Sequence, residues 1–174
     1  MKNSNWLKNL VTGGMVLVFV VVLSGCTITT VSLRYYDKTK PVEEYSRVYF
    51  QGNWQILTFN DDNVANAFSL ANTVVIPGGE HTFGLRYAQV SGSSSTTVTT
   101  YSDIINLKYD FKPNRFYYVF PTIQSNTVRV NVLDATDSTA AELRTAGFST
   151  ETTNKILERR TDSEETLRKK AGNR

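Results

Sequence analysis

Between Tyr45 and Ala135 apolar and polar positions alternate with a period of two, the pattern of strands that bury one face. Val48 and Phe50, Trp54 and Ile56, and Val74 and Ile76 each stand two apart, the spacing of one strand face. His81, Phe83, Leu85 and Tyr87 fall on one face of a further strand, opposite Thr82, Gly84, Arg86 and Ala88. Ile105, Leu107, Tyr109 and Phe111 oppose Asn106, Lys108 and Asp110, and Val128, Val130 and Val132 alternate with Arg129 and Asn131. The run from Phe116 to Pro121 is apolar on both faces, as in a central strand covered from both sides. Turns are expected at Gly52, at Pro77-Gly78-Gly79, where proline presets φ and glycine accepts φ > 0, and at Lys112 to Arg115. The Ser- and Thr-rich segment from Ser91 to Thr97 predicts a flexible hairpin loop. The fold class expected is all-β, an antiparallel β-sandwich with a C-terminal, largely polar helical tail.

The ends of the chain follow other rules. From Thr27 to Glu44 the alternation Thr-Ile-Thr-Thr-Val-Ser-Leu-Arg-Tyr fits an edge strand, and the polar composition fits a free tether equally well. After Asp134, Asp137 or Ser138 can cap a short helix through Ala140, Leu143 and Ala146, closed by Gly147. A second helical pattern starts near Thr153, and Thr161 to Glu164 has the form of a new capping box. Ile156, Leu157 and Leu167 are its only large apolar residues, so a solvated, partly flexible helix is favoured over a docked one. The expected organisation is 1–25 leader, 26–44 anchor and tether, 45–135 sandwich and 136–174 tail.

The leader has its own signature. Lys2 and Lys8 precede an apolar run from Met15 to Leu23, followed by Ser24, Gly25 and the single cysteine, Cys26. Nine apolar residues span only about 14 Å as a helix, roughly half of a bilayer's hydrocarbon core, so a cleaved signal peptide is expected rather than a permanent span. Leu23-Ser24-Gly25-Cys26 resembles the lipobox of bacterial lipoproteins. The resemblance implies cleavage before Cys26, lipidation of its thiol, and a partner in the membrane lipid. A thiolate is nucleophilic enough to form a stable thioether, and two or three acyl chains make attachment effectively permanent. Thr27 follows where the aspartate of inner-membrane retention signals would stand, which favours the outer membrane of the cell envelope.

Charge changes the picture only after that cleavage. Losing Lys2 and Lys8 and no acid takes the chain from 19 basic residues to 17, against 16 acidic ones. The mature chain of 149 residues, 174 less the 25 of the leader, is nearly neutral, and nucleic-acid binding is not expected. That length suffices for one domain with a real core, held without disulfides.

Candidate chemistry is sparse. His81 is the only imidazole, which excludes a two-histidine metal site within one chain, and it reads as a structural residue at a strand end rather than a catalytic one. Asn60-Asp61-Asp62-Asn63 offers oxygen ligands without the spacing of an EF-hand and reads as a turn. The adjacent carboxylates Glu43 and Glu44 would point apart on a strand, which disfavours a hydrolase. No catalytic residue, metal or cofactor is expected. The aromatic residues Trp54, Phe59, Tyr87, Tyr101, Tyr109, Tyr117 and Tyr118 are dense enough that most must be core, with a few exposed if the protein binds sugar or peptide. The Pro-Gly-Gly-x-His turn feeding an alternating strand, then Phe-x-Pro-x-x-x-Tyr-Tyr-Val, resembles small bacterial transthyretin-like or PEGA-like sandwich modules over residues 74–133. The resemblance implies a sandwich with an adhesive or adaptor role. The function expected is a membrane-anchored structural or adaptor lipoprotein of the bacterial envelope, without catalysis and with envelope proteins as partners. The alternative is a ligand-binding surface lipoprotein using exposed aromatics.

Overall fold

The computed structural model describes residues 31–68, 71–93, 96–125 and 127–172. In chain order its elements are β1 (Val31–Ser32), a 3₁₀ turn (Val42–Glu44), β2 (Tyr45–Phe50), β3 (Trp54–Phe59), β4 (Asp62–Asn63), β5 (Thr73–Pro77) and β6 (Gly79–Ser93). These are followed by β7 (Thr96–Tyr101), β8 (Ile105–Phe111), β9 (Phe116–Gln124), β10 (Thr127–Asp134), α1 (Ala140–Thr145) and α2 (Thr150–Gly172). The chain is mostly β, in two sheets, with a C-terminal helix. One sheet has the order β1-β5-β2-β9-β10. In the other, β4 and β3 lie on one side of β6, while β8 and β7 pair in succession along its opposite edge.

The alternation of side chains explains what lies between the sheets. Val48 and Phe50 of β2, Val74 and Ile76 of β5, and Tyr117 and Val119 of β9 meet Ile56 of β3, Phe83 and Leu85 of β6 and Phe111 of β8 in a single buried cluster. Val128, Val130 and Val132 pack against the same cluster, so the apolar phase of each strand is the one the sequence pattern predicts. The turn chemistry is local. Gly79 takes φ 132°, and Gly78 lies so close to Pro113 that an added Cβ would stand 2.8 Å from its Cδ.

Several expectations are corrected. The strand arrangement is not purely antiparallel, because β1 pairs with β5 and β2 with β9 in parallel. Burial alternation along one strand specifies its faces but not the direction of its neighbour, and β9 enters beside β2 only after the chain has built the second sheet. An all-β class is also too narrow. Helix α2 is docked, not solvated: Thr153, Ile156, Ser163 and Leu167 are buried against the outer face of the first sheet. With Arg160 these positions step by 3, 4, 3 and 4 residues, a continuous stripe on one helix face. The apolar partners come from the sheet. Ile156 joins Tyr49, Phe116, Tyr118, Ala135 and Leu143, and Leu167 joins Tyr45 and Val75.

Two polar members of the stripe, Arg160 and Ser163, are satisfied internally, whereas the buried Thr153 Oγ1 has no hydrogen-bond partner among the described residues. Arg160 Nη1 donates to the carbonyls of Ala135, Thr136 and Ser138 at 2.9, 2.8 and 2.9 Å, and Ser163 Oγ donates to Arg160 O at 3.0 Å. The capping box expected at Thr161 to Glu164 is therefore mid-helix. Helix α1 is capped by Thr139, not by Asp137 or Ser138: Glu142 N–H donates to Thr139 Oγ1, and Thr139 N–H donates back to the Glu142 carboxylate. Asp137 instead binds Arg115 at 2.8 Å, and Gly147, at φ 93°, closes α1 as expected.

The described part of the expected tether is packed. Val31, Leu33, Tyr36 and Val42 lie against Tyr45, Val75 and Leu167, and Asp37 N–H donates to Tyr45 Oη at 2.8 Å. The loop expected from Ser91 to Thr97 is mostly strand, with β6 running to Ser93 and β7 starting at Thr96. Thr, Val and Tyr fill a paired strand well, and this outweighs the linker-like serines.

Candidate functional site

Two features of the surface stand apart from the packed layers. The first is a two-stranded ribbon. Its six cross-strand pairs run from Ala88 opposite Tyr101 to Ser93 opposite Thr96, a length of about 20 Å at about 3.3 Å per residue. Strand β3 stops pairing with β6 at Tyr87, so among the described residues no strand pairs with the outer edge of Gln89–Ser93 or with that of β7. Val90, Val98 and Tyr101 are 56, 53 and 51 % exposed. Register puts Val90, Thr99 and Tyr101 on one face and Ser91, Val98 and Thr100 on the other, so neither face is a membrane-like apolar surface. From Tyr87 to Ser102 the chain carries no charged side chain. The base of the ribbon is braced by the Arg86 guanidinium, 5.9 Å from the Tyr101 ring centre, and by Tyr87 N–H donating to Ser102 Oγ at 3.0 Å.

The second feature is a cleft of about 350 Å³ where the start of α2 meets the ends of both sheets. Its lining comes from Tyr49 and Gln51 of the β2 end, Gly52 and Asn53 of the turn to β3, Tyr87 of β6 and Tyr118 of β9, and Glu151, Thr152 and Lys155 of α2. Tyr49 and Tyr118 are buried and their rings stack with centroids 5.5 Å apart. Burial pushes the Tyr118 phenol well above its ordinary range, with Tyr49 adding to the effect. Burial also raises Tyr49, against the opposing charges of Arg159 and Lys155. The Tyr118 hydroxyl is buried and has no hydrogen-bond partner among the described residues. Lys155 Nζ donates to Glu151 Oε1 at 2.7 Å across one helical turn.

Residues singled out by the sequence fall elsewhere. Cys26 and the whole leader lie outside the described residues. His81 is held at both ring nitrogens: Nε2 donates to Pro77 O at 2.9 Å, so Nδ1 is free to accept from Asn60 Nδ2 at 2.9 Å. Asn60 Oδ1 in turn accepts from Thr82 N–H at 3.0 Å. These bonds tie the β3–β4 turn to β6. Asn60 and Asp61 take φ 49° and 70° in that turn, and among the described residues no group of three or more His, Cys, Asp or Glu side chains is placed to hold a metal ion. Glu43 and Glu44 are exposed on the 3₁₀ turn.

Of the aromatic residues, Trp54, Phe59, Tyr117 and Tyr118 are buried, and Tyr101 stands out on the ribbon. Tyr87 and Tyr118 are brought together in the cleft, whereas Tyr49, Gln51, Asn53, Glu151 and Lys155 carried no mark as site residues in the sequence. The helical stripe from Thr153 to Leu167 is the signal that docks α2 and so delivers Glu151 and Lys155 to the sheet. Compared with protein-family models, curated proteins and solved structures, the chain matches none.

Proposed function

We propose that this chain is a lipid-anchored structural or adaptor component of the bacterial envelope, held to the membrane through Cys26 and joined to an envelope protein by strand addition on the β6–β7 ribbon. The two sheets are read as a β-sandwich of the transthyretin-like or PEGA-like kind, and no catalytic step is assigned to it. The observation that carries the reading is the ribbon's unprotected edge. Surface edges are ordinarily blunted by lysine, proline or a bulge, because free backbone N–H and C=O groups recruit other strands. Here 16 consecutive residues from Tyr87 to Ser102 contain no charge and no proline, and the six-pair register is unbroken. An edge left open in this way suits a partner strand, with backbone hydrogen bonds supplying affinity and Val90, Val98 and Tyr101 supplying selectivity.

The anchor sets the working distance. Four residues lie between Cys26 and Val31, the first described residue, and the five steps between them reach at most about 18 Å. Among the described residues no helix is long and apolar enough to cross a bilayer. The reading therefore puts the domain close to the membrane face. A photo-crosslinking residue at Val98, activated in intact cells, is expected to give one defined protein adduct, lost when Thr99→Pro removes an edge donor. Failure to form any adduct, or an adduct set unchanged by Thr99→Pro, would remove strand addition.

A further inference from the structure

We infer that the cleft between α2 and the sheet ends is a binding site for a small saccharide unit. The volume of about 350 Å³ lies at the small end of the range for small-molecule sites, about 300–1,000 Å³, and excludes a folded partner. Tyr87, half-buried, provides the ring surface, since Tyr118 lies between the Tyr49 and Phe120 rings, and the apolar face of Tyr87 suits the C–H face of a pyranose. Gln51 and Asn53 each present both a donor and an acceptor, the pairing that two neighbouring hydroxyls require. The Glu151–Lys155 pair adds a carboxylate acceptor and an ammonium donor within one helical turn while leaving no net charge, so a neutral polyol fits better than an inorganic anion.

Aliphatic side chains are absent from the lining, which argues against an acyl chain. The site also has an unspent hydrogen-bonding group. Tyr118 is 1 % exposed, lines the cleft, and has a hydroxyl with no partner among the described residues. An unsatisfied buried hydroxyl is costly, and native folds keep such groups mainly where a ligand, a water or a function completes them. The tyrosines are fixed from behind, Tyr118 by Phe120 and Phe148 and Tyr87 by Trp54, so the rings are in place before any ligand arrives.

The test uses the full lipidated chain in a detergent without a sugar headgroup. Saturation-transfer NMR is run with three probes, N,N′-diacetylchitobiose, maltose and cellobiose, and with sodium phosphate titrated separately. Transfer to the ring protons of at least one disaccharide is expected. Gln51→Ala at a half-buried position and Asn53→Ala at an exposed one, both outside the core, should each weaken it at least fivefold with an unchanged melting temperature. Absence of transfer from all three disaccharides overturns the inference, as does transfer that both variants leave intact. Resonance shifts at Lys155 with phosphate alone overturn it in favour of an anion site. None of these outcomes depends on the ribbon, so the adaptor reading stands or falls separately.

Discussion

Gly84 shows how tightly the second sheet is built. It faces Thr58 across the β3–β6 ladder, where the register shifts between Ile56 and Thr58, and a Cβ at Gly84 would lie 2.3 Å from Thr58 Oγ1. Gly84→Ala is expected to cost about 1–3 kcal/mol, the usual range for overpacking, and Thr58→Ala in the same chain should recover most of it. Denaturant unfolding of the two single variants and the double variant measures the coupling, and additive losses would show that the contact is not the cause.

Arg47 and Glu164 make a different kind of contact, at 3.1 Å, in which the guanidinium is 7 % exposed and the carboxylate 46 %. Removing Glu164 leaves a buried cation with fewer partners, whereas removing Arg47 leaves an acid that water and Arg168 still serve. Glu164→Ala should therefore cost about 1–2 kcal/mol, reduced from the fully buried case by solvent access, and Arg47→Met less than about 1 kcal/mol. Burial pushes the Glu164 carboxyl up, but hydrogen bonds from Arg168 and Arg47 outweigh this and hold it below the ordinary carboxylate range. A depressed folded value means stability that is full above the unfolded value, about 4.3, and is lost as pH falls through the folded one. The advantage of wild type over Glu164→Gln in thermal melts should be constant near neutrality, begin to shrink as pH falls to the unfolded value of about 4.3, and be lost only below the folded value.

At the scale of elements, α2 is the part whose role changes most between pattern and structure. Its own large apolar residues are few, yet the surface it covers holds Tyr45, Tyr49, Phe116 and Tyr118, all buried. Deleting the helix would expose these rings together with the β2 and β9 faces that carry them, at about 25 cal/mol for each Å² of apolar area returned to water. Truncation after Ser149 is accordingly expected to lower the melting temperature by well over about 10 °C or to prevent folding, as read by circular dichroism. A melting temperature within a few degrees of the full chain would mean that the sheets hold without their third layer. The ribbon is the contrasting element. It buries nothing on its exposed half, so its sequence is free to answer to a partner, and an absence of charge there has meaning that it would lack in a core strand.

For the molecule as a whole, the lipid anchor proposed at Cys26 is open to a direct test. Metabolic labelling with an alkyne palmitate is expected to mark the wild-type protein and to leave Cys26→Ala unmarked in the precursor form. Label retained in the Ala variant would disprove the lipobox reading. Should that proposal hold, β1, which starts five residues after Cys26 and pairs with β5, ties the anchored end of the chain to the first sheet.

Pattern alone was enough for most strands and their faces, because burial on one side of a pleat imposes a period of two, but not for Ser91 to Thr97, where residues that read as a loop are largely paired strand. It also determined the turns at Pro77-Gly78-Gly79 and Gly147, where backbone conformations open mainly to glycine are needed. The proposal of lipidation at Cys26 likewise rests on the sequence, since a reading from its position at the end of a short apolar run needs no fold. Tertiary structure alone decided the parallel pairings of β2 with β9 and β1 with β5, which depend on where the chain returns rather than on what it contains. It alone decided that α2 docks, because the apolar surface that holds the helix lies on strands far away in sequence and Arg160 is satisfied by carbonyls 22 to 25 residues earlier. The cleft belongs to the same class. Its residues come from β2, β6, β9 and α2, so no stretch of chain holds the site, and the packing of helix on sheet assembles it.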